Sequence, residues 1–95
     1  MATARKNTSL FIEHTSVVIG GRRVPARKSE ITQREYFQAA AIGLKPQAVF
    51  TVRVEYYHGE DRLTTHRGEV LAIYRSFRDG DWCELYCERR AGIHG

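Results

Sequence analysis

The sequence predicts a mainly β fold: a small antiparallel β-barrel of about six strands, with one short helix between strands 2 and 3. Three observations lead there. Apolar and polar residues alternate with a period of two in several short runs, and glycine-bearing turn signals separate the runs. Only one stretch changes to a helical period and carries helix start and stop signals. A chain of 95 residues has room for one small domain, so residues 1–95 are read as a single unit with flexible tails at 1–7 and 91–95.

Residues 8–19 are rich in β-branched and aromatic side chains and read as the first strand. Gly20-Gly21 accepts positive φ at both turn positions, which marks a hairpin tip. Residues 22–28 form the returning strand. Pro25 cannot donate to a ladder, so this strand is expected at an edge or at a bulge.

The period then changes. Thr32 and Glu35 stand at capping-box spacing, and Ile31 can staple onto Tyr36. Tyr36, Phe37, Ala40, Ala41 and Leu44 recur on one helical face. Gly43 supplies a left-handed stop, with Pro46 beyond it. A helix this short is not stable alone, so its apolar face is expected to plug an end or a face of the barrel.

After Pro46 the period of two returns, with Phe50, Val52, Val54 and Tyr56 on one strand face and Thr51, Arg53 and Glu55 on the other. His58-Gly59-Glu60-Asp61 reads as a turn, residues 62–66 as a short strand, and Arg67-Gly68 as a tight turn. Residues 69–77 are apolar on both faces, as a central or doubly covered strand would be. Arg78-Asp79-Gly80-Asp81 is a turn cluster. In the last strand Cys83, Leu85 and Cys87 alternate with Trp82, Glu84, Tyr86 and Glu88.

Composition narrows the function. Fifteen Lys and Arg against eleven Asp and Glu leave a net charge of +4, which tolerates nucleic acid without demanding it. No apolar run approaches the roughly 18–20 residues of a membrane helix. Met1-Ala2-Thr3-Ala4-Arg5-Lys6 lacks the apolar core of a secretory signal, so a reducing compartment is expected.

Cys83 and Cys87 invite a metal site, with His58 or His66 completing it. On a strand, however, positions four apart lie roughly 13 Å from each other. Neither one metal ion nor a mutual disulfide spans that gap, and buried core thiols are the better reading. A ribonuclease would need an acid–base pair, and His14, His58, His66 and His94 are present, but no spacing brings them together. No nucleophile elbow, phosphate-binding loop or H-E-x-x-H pattern occurs. The basic clusters Arg22-Arg23, Arg27-Lys28 and Arg89-Arg90, with Tyr56, Tyr57, Trp82 and Tyr86, could form a surface for single strands. Glu84 and Glu88 share that aromatic face and would repel phosphates, so a protein interface is the better reading.

One family resemblance runs from Ser29 to Arg90. The run Ser29-Glu30-Ile31-Thr32-Gln33-Arg34-Glu35-Tyr36-Phe37-Gln38-Ala39-Ala40-Ala41-Ile42-Gly43-Leu44-Lys45-Pro46 is similar to an "S-x-x-Q-x-E-F/Y-F/Y-x-A-x-x-x-G-L-K-P" stretch. Downstream, in order, come Phe50-Thr51-Val52, a "Y-x-G-E"-like turn at Tyr56-Tyr57-His58-Gly59-Glu60-Asp61, and Gly68-Glu69-Val70 in place of "G-K-x-Y". Ile73-Tyr74-Arg75-Ser76-Phe77 then resembles "I-Y-R-T-Y", and Glu84-Leu85-Tyr86-Cys87-Glu88-Arg89-Arg90 resembles "E-L-x-C-E-R-R". This ordered set resembles the head-closure (head–tail joining or adaptor) proteins of long-tailed bacteriophages and prophages. The first 28 residues match only loosely, and Leu71 stands where an aromatic is usual.

The resemblance implies a small β-barrel with a helix, acting as a structural protein of the virion neck. It implies a homo-oligomeric, dodecameric ring below the portal or adaptor ring that closes the filled head, docks the tail-side proteins and stands near packaged DNA. It implies no enzyme activity, cofactor, metal or membrane, and assembly in the host cytoplasm. Gly20, Gly21, Arg22 and Arg23 at one hairpin tip, and Arg78, Asp79, Gly80 and Asp81 at another, are the candidate partner-interface residues. The alternative is a small nucleic-acid-binding β-barrel.

Overall fold

The structure, a computed structural model, describes residues 12–89. The tails expected at 1–7 and 91–95, the start of the first expected strand, His94 and Arg90 lie outside the described residues. The elements are β1 (Glu13–Ile19), β2 (Arg22–Ser29), α1 (Gln33–Ala40), β3 (Pro46–Arg53), β4 (Arg62–Thr65), β5 (Val70–Asp79) and β6 (Trp82–Glu88). A single 3₁₀ turn, Val54–Tyr56, follows β3.

The strands close into an antiparallel barrel in the order β1-β2-β3-β6-β5-β4. The expected fold class is the one that forms. Inward positions supply a continuous core that includes Val17, Val24, Phe50, Val52, Leu63, Leu71 and Leu85. Because every neighbouring pair is antiparallel, the connections sort to two ends. The β1–β2 turn, the segment 54–61 and the β5–β6 turn gather at one end, called here the hairpin end. The α1 segment and the β4–β5 turn gather at the other.

The two longest stretches of uncovered edge among the described residues lie on β2 and β5. β2 pairs with β1 along its length, but its ladder to β3 holds only Arg27, Lys28 and Ser29. Pro25, opposite Ser16, therefore stands where the β3 side of β2 is open, as its missing N–H requires. β5 likewise leaves β4 after Ala72 and runs on to Asp79 with β6 alone, apart from one bond from the Ile73 amide to the Asp61 carbonyl.

Four expectations need correction. β5 is not doubly covered: Leu71 and Ala72 are buried, but residues 75–79 are exposed, because the stagger of the barrel carries that half beyond its neighbour. β5 also extends to Asp79, so the turn is Gly80-Asp81 and not the full cluster from Arg78. β3 ends at Arg53. Val54 and Tyr56 reach the core from a 3₁₀ turn, which mimics strand alternation in sequence while bending the chain across the barrel mouth.

The fourth correction is the helix. Gly43, at φ +86°, ends it as expected, with the Leu44 amide donating to Ala39 and the Gly43 amide to Ala40. Its apolar face is not buried, however: Tyr36 is 48% and Phe37 60% exposed, and Ala39 is the one buried residue of α1. Ala39 and the outward-facing Val49 of β3 are buried apart from the main core, so α1 does lie against a face of the sheet, as a helix too short to stand alone must, but it rests there on Ala39 and not on Tyr36 and Phe37.

Candidate functional site

The two hairpin tips come to the same end of the barrel. Gly20 and Gly21 turn with φ of 60° and 82°, and Arg22 and Arg23 start β2 exposed. Arg23 donates to the Ser16 hydroxyl at 3.1 Å, which lays its guanidinium back along the hairpin. Glu60 reaches this tip from the segment 54–61: its Oε1 accepts the His58 amide at 2.8 Å, while Oε2 would lie 3.1 Å from a Cβ added at Gly20. The hydrogen bond from the His58 amide holds the Glu60 carboxyl below its ordinary pKa.

At the second tip, Gly80 turns at φ +64°, and Arg78 and Asp79 are exposed on β5. The Asp81 carbonyl accepts the Val54 amide at 2.9 Å, which anchors the tip to the end of β3. The eight residues picked out from sequence thus share one end of the molecule, on two separate tips. Their charges are mixed: Arg22, Arg23 and Arg78 stand among Glu60, Asp61, Asp79 and Asp81.

Trp82 joins the two hairpins. It opens β6 opposite Arg53 of β3, and the Arg27 guanidinium of β2 lies 4.2 Å from its ring centroid, with Arg53 at 5.4 Å. A guanidinium stacked on the indole occupies surface that a nucleobase would need.

A polar latch holds the helix. Glu35 accepts hydrogen bonds from the Tyr74 hydroxyl at 2.8 Å and from Arg75 at 2.7 Å. Tyr74 is available because β5 bulges between Ile73 and Arg75, which turns an extra side chain outward. Arg75 also lies 3.9 Å from the Tyr86 ring. Burial works to raise the Glu35 pKa, but the hydrogen bonds from Arg75 and Tyr74 and the Arg75 charge outweigh it and hold the carboxyl below the ordinary value. Burial and the bond to Glu35 push Tyr74 up. Thr32 does cap the Glu35 amide at 3.1 Å, so half of the expected capping box forms while the carboxylate goes to the latch.

Cys83 and Cys87 are free thiols inside the barrel core. Burial raises both, Cys87 to about 12, which keeps them protonated and poorly nucleophilic at neutral pH. His58 sits at the hairpin end, whereas His66 pairs with the Thr15 hydroxyl at 3.1 Å near the β4–β5 turn, and His14 lies on β1. Among the described residues no three metal-ligating side chains converge. A polar pocket of about 200 Å³ near His66 has Lys28 and Arg67 balanced by Glu13 and Glu69, so it offers no single sign of charge.

Sequence reasoning missed Glu35 with Tyr74 and Arg75, the Trp82 stack, and exposed Phe77. Only Phe77 left a usable signal: a large aromatic beside Arg78 and Asp79, at the end of an apolar run. Comparisons with protein-family models, curated proteins and solved structures find no match.

Proposed function

We propose that the protein is a structural component of the phage neck, which closes a filled head and docks the tail as one subunit of a ring. The observation that carries this reading is the gathering of both hairpin tips at one end of a small barrel. The ordered motifs from Ser29 to Arg90 point the same way. A barrel with partly open edges gains from neighbours that cover them, and a ring does so through repeated heterologous contacts. On this reading the chain carries out no catalytic step and needs no cofactor. Arg22, Arg23, Arg78 and Asp79 would meet the adjoining ring or the tail.

The test is tail joining to filled heads with Arg22→Glu/Arg23→Glu protein. A sharp drop in joined particles, with the barrel still folded, is expected. Normal joining would remove that tip from the interface. Steeply salt-dependent binding to DNA by the purified chain would instead favour the nucleic-acid-binding alternative, because phosphate contacts release counterions.

A further inference from the structure

We infer that the open edge of β5 is a self-pairing surface, on which a second copy of this chain docks antiparallel about Phe77. The inference goes beyond the neck reading and does not depend on it, since it concerns the free protein. Three observations carry it.

The edge is available. β5 loses β4 after Ala72, and among the described residues no ladder covers that side of residues 74–79. Tyr57 meets the Ser76 side chain from the core side, which steadies the arm without adding a strand to its edge.

The edge is apolar at its centre. Phe77 is 51% exposed although it lies within a regular ladder opposite Glu84. A large aromatic on an open edge is what natural edges usually avoid, and the rest of this edge carries no proline.

The edge is complementary to itself. A two-fold axis through Phe77 sets the two phenyl rings opposite each other. It also places Arg75 of each copy, which is half-exposed and already donates to Glu35 of its own chain, opposite Asp79 of the other, and Ser76 opposite Arg78. Cross-strand aromatic and opposite-charge pairs both favour pairing, and a shift of register by two would set Arg75 against Phe77 instead. Arg75, Phe77 and Asp79 share one face of the strand, so the favourable pairs form together. The other open edges do not pass this test: in residues 22–26, Arg22, Arg23 and Pro25 present like charge and lack one donor, and residues 13–16 of β1 carry no large apolar side chain.

One edge strand per copy makes a small, reversible interface. Sedimentation velocity on the full chain, up to about 1 mM, should show a dimer that grows with concentration. Asp79→Arg sets arginines opposite each other and Phe77→Lys removes the central pair. Each should weaken the dimer about tenfold or more while circular dichroism stays barrel-like. As a second measurement, Phe77→Cys should form an intermolecular disulfide about tenfold or more faster than Ile42→Cys, because pairing raises the effective concentration of the two thiols. Ile42 is 75% exposed, so the control is fully accessible. A chain that stays monomeric with equal disulfide rates, or a dimer indifferent to Asp79→Arg and Phe77→Lys, overturns the proposal.

Discussion

The β1–β2 and β5–β6 hairpins reach the same end of the barrel and treat their free edges in opposite ways. The first guards its edge with Arg22, Arg23 and Pro25, and Glu60 lies close beside its turn. The second leaves Phe77 and the far half of β5 uncovered, yet its β6 strand turns Cys83, Leu85 and Cys87 into the core and pairs with β3 on its other side. One arm is protected at its edge and roots Val17, Ile19, Val24 and Ala26 in the core, but at Val24 it is paired on one side only. The other is open at its edge and deeply rooted. A free edge is tolerated where the partner strand is well buried, because opening the arm would expose that core.

Rooting is tested most severely at Leu85 of β6, which is fully buried. Leu85→Ala should cost about 2–5 kcal/mol, a large part of the stability of a small domain. Val24→Ala in β2 should cost less, since it removes fewer methyl groups from an arm with one paired neighbour there. Urea denaturation of both variants measures the difference, and equal costs would dissolve the contrast between the arms.

The two turns separate next. Both glycines hold positive φ, but a Cβ at Gly80 meets open space, whereas at Gly20 it meets Glu60. Gly80→Ala should cost about 1 kcal/mol from backbone strain alone, and Gly20→Ala about 1–2 kcal/mol because Glu60 must also move. Adding Glu60→Ala to both variants sharpens this: it should relieve part of the Gly20→Ala cost and none of the Gly80→Ala cost in a thermal melt.

These contrasts show where local sequence speaks and where it does not. Gly20-Gly21, Gly43 and Gly80 were legible as turns or stops because positive φ is a local demand that few residues meet. Closely spaced strands pointed to antiparallel neighbours in a bent sheet or a small barrel, and closure itself is visible only in the strand order. The helix face was misread because Tyr36 and Phe37 are apolar, while what holds α1 to the barrel includes Glu35 reaching a bulge dozens of residues away. The uncovered half of β5 was hidden for a related reason: stagger between strands is a property of closure, and no single run of residues encodes it. Both candidate tips were legible as turns, but their meeting at one end came only with the strand order.

The helix latch gives a smaller effect with a definite pH dependence. Glu35→Gln should cost about 1 kcal/mol at neutral pH, after allowing for the exposure of Arg75. Since the folded Glu35 carboxyl lies below its ordinary value, its contribution is complete above the unfolded pKa and fades as pH falls through the folded one. Melting curves of wild type and Glu35→Gln should therefore converge in acid. A gap unchanged with pH would mean that the hydrogen-bond geometry, not the charge, secures the helix.

The smallest effect tests the joint between the two hairpins. Trp82 is the single tryptophan, so its fluorescence reports on that place alone. Arg27→Ala removes the closer guanidinium, at 4.2 Å, and should cost about 0.5–1 kcal/mol with a shift in emission toward a wetter indole. Arg53→Ala should do less, because Arg53 stands farther off and already shares its charge with Glu55 at 3.5 Å. Arg27→Lys separates stacking from charge: lysine keeps the positive charge but lacks the planar guanidinium. If it behaves like Arg27→Ala, the flat contact carries the joint and the β1–β2 arm is steadied by Arg27 reaching across β3 to Trp82 of β6. If it behaves like wild type, the charge suffices, and the arm is steadied by Val17, Ile19, Val24 and Ala26 in the core instead.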